Sequence, residues 1–232
     1  MTKRLTIVIL VALALGAVAA STAFAVKALS IYRNDMDSAA KRGQMVGIAG
    51  QNCDRGGSPR AFKITVGKRT KECSYRTPVV GRDLEIIATG RLLSGTPKTK
   101  RPRTYIALIL RSGGGARYQL NVFPRQRKYQ LRKILRNGTS RYLAIGKGIR
   151  RIQGINKANV MRLRAFNLTN TPEKDDCRLL VYINKKRMAV VTDRSAGPIK
   201  GRFSGVAVGS RKIASGAVGS FDDVIVRVPS PF

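Results

Sequence analysis

Hydrophobic positions along this chain fall into two regimes. The first is a block, Leu5 to Val26, which reads LTIVILVALALGAVAASTAFAV, 22 residues without a charge behind Lys3 and Arg4. A helix needs about 17–25 such residues to cross the hydrocarbon layer. Basic residues ahead of it favour a cytoplasmic N-terminus and an exported remainder. Ala23-Phe24-Ala25 also fits an A-x-A cleavage site. Residues 1–26 are therefore expected to be a signal peptide or a single-pass anchor, and either places the rest outside the cytoplasm. The second regime begins near residue 61, where short β-rich runs recur between turn residues. They include Leu84–Ala88, Tyr105–Leu110, Ala116–Val122, Tyr129–Leu135, Val160–Phe166, Arg178–Ile183, Met188–Thr192, Phe203–Val208 and Phe221–Val228. Tyr118, Leu120 and Val122 share one face of a strand while Arg117, Gln119 and Asn121 share the other, the period-two pattern of a half-buried strand. Met161, Leu163 and Ala165 oppose Arg162 and Arg164 in the same way. Asn184-Lys185-Lys186-Arg187 and Ser112-Gly113-Gly114-Gly115 read as hairpin connections.

Between these regimes, residues 27–60 carry no sustained period. A piece from Ala28 to Arg42 has helical potential, and Gly56-Gly57-Ser58-Pro59 follows. The segment reads as a juxtamembrane linker. The expectation is thus an all-β chain, an antiparallel β-sandwich over residues 61–232 preceded by one N-terminal transmembrane or signal helix.

The order of runs in the second half resembles a concanavalin A-like jelly roll of the bacterial exported type, the architecture of legume lectins, laminin G modules and jelly-roll glucanases. The residues that carry the resemblance are Gly115-Ala116-Arg117-Tyr118-Gln119-Leu120-Asn121-Val122, Lys128-Tyr129-Gln130-Leu131, Asn159-Val160-Met161-Arg162-Leu163-Arg164, Leu179-Leu180-Val181-Tyr182-Ile183-Asn184 and Phe221-Asp222-Asp223-Val224-Ile225-Val226. The architecture hosts lectins, hydrolases and adhesion modules alike, so it implies fold more than function.

Departures from the pattern narrow the function. Jelly-roll glucanases carry E-x-D-x-x-E on a catalytic strand. Here Asp83-Leu84-Glu85 stands without a second Glu, and a retaining glycosidase needs two carboxyls about 5–5.5 Å apart. There is no His and no Trp, which removes Ser-His-Asp chemistry, His-ligated zinc and the widest stacking platform. Asp222-Asp223 could contribute oxygen ligands to a calcium site, but the resemblance implies instead a structural strand with the two pointing to opposite faces; Glu173-Lys174-Asp175-Asp176 reads as a solvated loop. No catalytic residue, metal or cofactor is assigned. Asn137-Gly138-Thr139 and Asn167-Leu168-Thr169 fit the glycosylation pattern, which has meaning only in a eukaryotic secretory pathway. Cys53, Cys73 and Cys177 fit no zinc spacing and allow at most one intramolecular bridge in any of three pairings, or three packed thiols. A Cys53–Cys73 bridge is the one expected, worth roughly 3 kcal/mol in the chain-entropy model.

Charge changes the picture most. The chain of 232 residues carries 45 Lys+Arg against 12 Asp+Glu, a formal net charge of +33. Between Glu85 and Glu173 lie 87 residues with twenty Lys or Arg and no acid. Unbalanced charge repels itself, so a partner that neutralises it is expected. The candidate binding residues are Lys98, Lys100, Arg101 and Arg103 in one loop and Arg125, Arg127, Lys128 and Arg132 around a hairpin; Lys133, Arg136, Lys147, Arg150 and Arg151 add to the basic run. Arg forks suit phosphate and carboxylate. Expected partners are an anionic glycan, a wall polymer or lipid headgroups, with the membrane reached through the N-terminal helix. Nucleic acid ranks lower because export puts the domain on the wrong side, although Tyr105, Tyr118, Tyr129 and Tyr142 are interleaved with Arg. The reading is an exported, non-enzymatic carbohydrate or anionic-polymer binding module at the cell surface, or secreted. A glycoside hydrolase and an adhesion or adaptor domain are the alternatives.

Overall fold

The computed structural model describes residues 30–47, 51–58, 61–168, 176–194 and 197–228. Among them the chain forms β1 (Ser30–Asn34), a short helix α1 (Ala39–Gly43), β2 (Val46–Gly47), β3 (Cys53–Ser58), β4 (Ala61–Val66), β5 (Glu72–Val80), β6 (Leu84–Leu92), β7 (Thr104–Gly113) and β8 (Ala116–Phe123). After these come β9 (Lys128–Ile134), β10 (Ser140–Gly146), β11 (Asn159–Asn167), β12 (Cys177–Ile183), β13 (Lys186–Asp193), β14 (Phe203–Ser210) and β15 (Val218–Arg227). One sheet runs β13-β12-β11-β6-β15-β4-β3 with β1 also on β15; the other runs β10-β9-β8-β7-β14-β5-β2. Every strand pairing is antiparallel. β15 joins β6 to β4 in the first sheet, and β14 joins β7 to β5 in the second.

Period-two alternation decides what lies between the sheets. Met161, Leu163, Val181, Ile86, Phe221 and Val226 come from the eight-stranded sheet; Ile106, Leu108, Leu120, Val122, Leu131, Val206 and Val208 come from the seven-stranded one, all fully buried in a single core. Each such side chain contributes about 1.5–3 kcal/mol. Tyr118 and Tyr129 belong to this core rather than to a stacking surface. The Asn184-Lys185 connection has positive φ at both residues, 49° and 69°, the geometry of a two-residue type I′ hairpin.

The segment 27–60, read from sequence as a linker, contributes strands to both sheets. β1 pairs with β15, β3 with β4 and β2 with β5. The helical potential from Ala28 to Arg42 resolves into β1 followed by α1, whose N-cap Ser38 accepts from the Lys41 N–H. Cys53 and Cys73 form a disulfide, and Cys177 is a buried free thiol. The bridge joins edge strand β3 of one sheet to β5 of the other, so it fastens the two layers together. Replacing both partners by Ala is expected to cost about 3 kcal/mol, or roughly 6–12 °C in Tm. Thermal unfolding of the oxidised and double-alanine forms measures it. The apolar segment 1–26 lies outside the described residues, and among the described residues no helix is long and apolar enough to cross a membrane.

Candidate functional site

Three loops meet at one end of the sandwich. The 3-10 turn Arg101–Arg103 before β7 touches the 3-10 turn Pro124–Gln126 after β8. The Arg211 N–H, just past β14, donates to the Arg103 carbonyl at 3.4 Å. Pro124 is buried and Arg127 adopts the left-handed conformation (φ 49°), so the chain reverses within four residues and holds Arg125 and Arg127 out to solvent. The Ile149 N–H donates to the Arg127 carbonyl, which draws in the segment after Lys147. Lys128 lies close enough to Arg211 and Lys147 that burial first, and those two charges next, hold its ammonium below the usual lysine pKa. None of Arg103, Arg125, Arg127, Lys128, Lys147 and Arg211 pairs with a carboxylate among the described residues.

The eight basic residues expected from sequence separate into groups. Arg103, Arg125, Arg127 and Lys128 converge at this end, and Lys98 is exposed on the loop that leads into it. Lys100 and Arg101 act as braces: Lys100 Nζ donates to the Ser215 carbonyl, while Arg101 donates through Nε to Thr96 O and through a terminal nitrogen to Ser94 O. Arg132 lies four residues along β9, about 13 Å away. Its guanidinium donates to Ser140 Oγ and sits over the exposed Tyr142 ring, 5.7 Å from the centroid. Arg211 was missed because sixty or more residues separate it from the other clusters in sequence, and no local pattern marks it.

From this end the outer face of the seven-stranded sheet runs along β5, β14, β7 and β8. Ala207 and Ala107 form a low floor beside Tyr105 and Phe123, whose rings meet edge to face at 5.3 Å. Across that floor Glu72 on β5 accepts from Tyr105 Oη (2.7 Å), an Arg117 terminal nitrogen (2.8 Å) and Gln119 Nε2 (2.5 Å). Arg117 Nε also bonds Gln119 Oε1, and Gln119 Nε2 bonds Asn121 Oδ1. Among the described residues, Asn121 Nδ2 and Arg132 Nε are buried without a hydrogen-bond partner. Small residues on the two middle strands allow long polar side chains from β5 and β8 to meet. The sequence signal for this face was the run of amides on the polar side of β8 and at Gln130, unusual in so cationic a chain.

The two carboxylates weighed as a catalytic pair stand apart. Asp83 precedes β6 and accepts from Arg111 at 2.8 Å, whereas Glu85 accepts from Arg162 Nε at 2.6 Å on the outer face of the eight-stranded sheet. Each is neutralised by its own arginine. Asp222 and Asp223 lie at a register shift in β15; burial first and Asp223 next raise the Asp222 pKa. Inside the sandwich, Asp193 accepts from Lys133 Nζ (2.8 Å) and Tyr118 Oη (2.6 Å). Nearby, burial pushes the Cys177 thiol up to about 11. A folded thiol that holds its proton this tightly adds stability that is complete below the ordinary pKa near 8.5 and is lost as pH rises towards 11. At about pH 8 the native chain should leave a thiol reagent unreacted, whereas the unreduced chain unfolded in guanidinium should release one equivalent.

No protein-family model and no curated relative matches the sequence. Solved structures match the fold at low identity. The carbohydrate binding module CBM66 from Bacillus subtilis aligns with a TM-score of 0.59 and 16% identity, covering 79% of this chain and 95% of its own. The carbohydrate recognition domain of Emp46p gives 0.58 and 14%, covering 89% and 100%. A prokaryotic beta-1,3-1,4-glucanase (lichenase) from a mouse hindgut metagenome gives 0.56 and 9%, covering 86% and 99%. These likenesses establish the architecture: a concanavalin A-like jelly roll.

Proposed function

We propose that this chain is an exported binding module for anionic glycans, which it engages with the basic end of the sandwich and the adjoining outer face of the seven-stranded sheet. One observation carries the reading: cations from three separate loops converge without carboxylate partners among the described residues, close enough to depress the Lys128 pKa. Packing like charges together costs stability unless a polyanion neutralises them. Arg103, Arg125, Arg127, Lys128, Lys147 and Arg211 supply the charge. Arg132 and Tyr142 extend the contact along the sheet edge. The carbohydrate binding module and carbohydrate recognition domain that share the fold lend support to a glycan ligand. The Cys53–Cys73 bridge suits an oxidising compartment, as does the uncharged segment Leu5 to Val26 behind Lys3 and Arg4, read as a signal or anchor.

The test is binding of the purified chain to neutral glycans, polyuronates, sulfated glycans and polyphosphate at low and high salt. Binding to anionic glycans that falls steeply with salt is the expected result. Salt-resistant binding to a neutral sugar alone would overturn the charge-based reading, and preference for polyphosphate would move the ligand away from glycans.

A further inference from the structure

At the opposite end of β8, about 25 Å from the basic loops, lies a cleft of about 550 Å³. It opens between the β7–β8 turn, the exit of β9 and the segment 197–201. That volume falls within the range of small-molecule sites. Two of its lining residues pack backbone against backbone: a Cβ on Gly201 would lie 2.2 Å from the Arg111 carbonyl oxygen, and one on Gly113 would lie 3.0 Å from Gly201 Cα. The wall formed by segment 197–201 is fixed from beneath. Lys133 Nζ donates to Gly197 O at 2.7 Å, the Ile199 N–H donates to Tyr118 Oη at 3.2 Å, and an Arg111 terminal nitrogen reaches Ile199 O at 3.5 Å. A wall held in this way loses little entropy when a ligand enters.

The lining has two chemistries. Leu135, Pro198 and Ile199 offer an apolar surface, and Lys133, Arg136 and Lys200 offer charge, with no carboxylate among the described lining residues. Lys133 is committed to buried Asp193. Arg136 and Lys200 are exposed on different walls. The cleft has room for a sugar residue together with its neighbours in a chain, and an occupant that fits both chemistries presents a C–H face to the apolar wall and one carboxylate to the cations.

We propose that this cleft is a second binding site, for a single hexuronate residue such as the terminus of an acidic glycan. The sugar identity rests on the glycan reading above, whereas the size and charge of the cleft stand apart from it. Glucuronate should saturate this site on the full chain, followed by NMR or calorimetry, while glucose at the same concentrations should not. R136E with K200E should weaken glucuronate binding by about tenfold or more. K63E with R178E, two exposed residues on the eight-stranded sheet, should leave it unchanged. Both cleft residues are exposed, so folding should be kept; R136Q with K200Q is the milder pair should the reversal unfold the chain. Absence of glucuronate binding, equal binding of glucose, or indifference to both cleft variants would overturn the proposal. Saturable glucuronate binding in a chain that ignores polyanions would leave this site standing and remove the basic-end reading alone.

Discussion

Replacing Asp193 by Ala destabilises the fold by about 3–5 kcal/mol, the usual cost of stranding a buried charge. The reason is local and specific. Lys133 points into the sandwich from β9, with its side chain 4% exposed, and the Asp193 carboxylate, 1% exposed, is the anion opposite it at 2.8 Å. The same carboxylate accepts from Tyr118 Oη, which in turn receives the Ile199 N–H. Alanine therefore leaves an ammonium without its counter-ion and a phenol without its acceptor. For a chain of this size the loss corresponds to roughly 6–20 °C in Tm. Replacing both members, Lys133 by Met and Asp193 by Leu, should recover most of the loss, because an apolar pair of similar volume avoids the desolvation of both ions. Denaturant unfolding of the wild type, the single and the double variant measures this. A single variant within about 1 kcal/mol of wild type would contradict the assignment.

Reversing Arg103, Arg125, Arg127 and Arg211 to Glu should weaken binding to an anionic glycan by roughly a thousandfold at low salt, taking about 1 kcal/mol for each basic residue near an anionic surface. These four are chosen because they are exposed at the converging end. Lys100 and Arg101 hold backbone carbonyls, and Arg132 is tied to Ser140, so their replacement would mix folding with binding. The difference between variant and wild type should shrink as salt rises and the Debye length falls below about 8 Å. Stability should hold or rise as self-repulsion is relieved. Equal salt dependence in the two proteins would remove this end from the interface.

Legibility of the fold followed burial. β8 was readable because one face enters the core and the other does not, and the Asn184-Lys185 turn was readable because its flanking runs alternate. β3, with the sequence CDRGGS, carries no apolar alternation; backbone pairing to β4 and the bridge at Cys53 hold it instead. β10 is an edge strand, exposed along much of its length, with a register shift after Tyr142, so its period is blurred. β5 contains Pro78, which cannot donate to a strand ladder and so weakens the strand signal of its sequence. Single basic clusters were visible in the site, since charge is local in sequence. Their union with Arg211 was not, because the order of strands sets it. Glu72 was overlooked for the converse reason: an isolated acid shows its importance only when Arg117, Gln119 and Tyr105 are seen to surround it.

The positions of β14 and β15 constrain how this protein comes into being. Each is the strand that joins the two parts of its sheet, and they follow every other strand in chain order. Until Phe203 to Arg227 has emerged, neither layer has a middle, and β1 waits for a partner nearly two hundred residues downstream. Such long-range pairing is slow, typically milliseconds to seconds. Acquisition of the native state is thus deferred until these last two strands have been made, and a chain that lacks them stays pliable rather than locked.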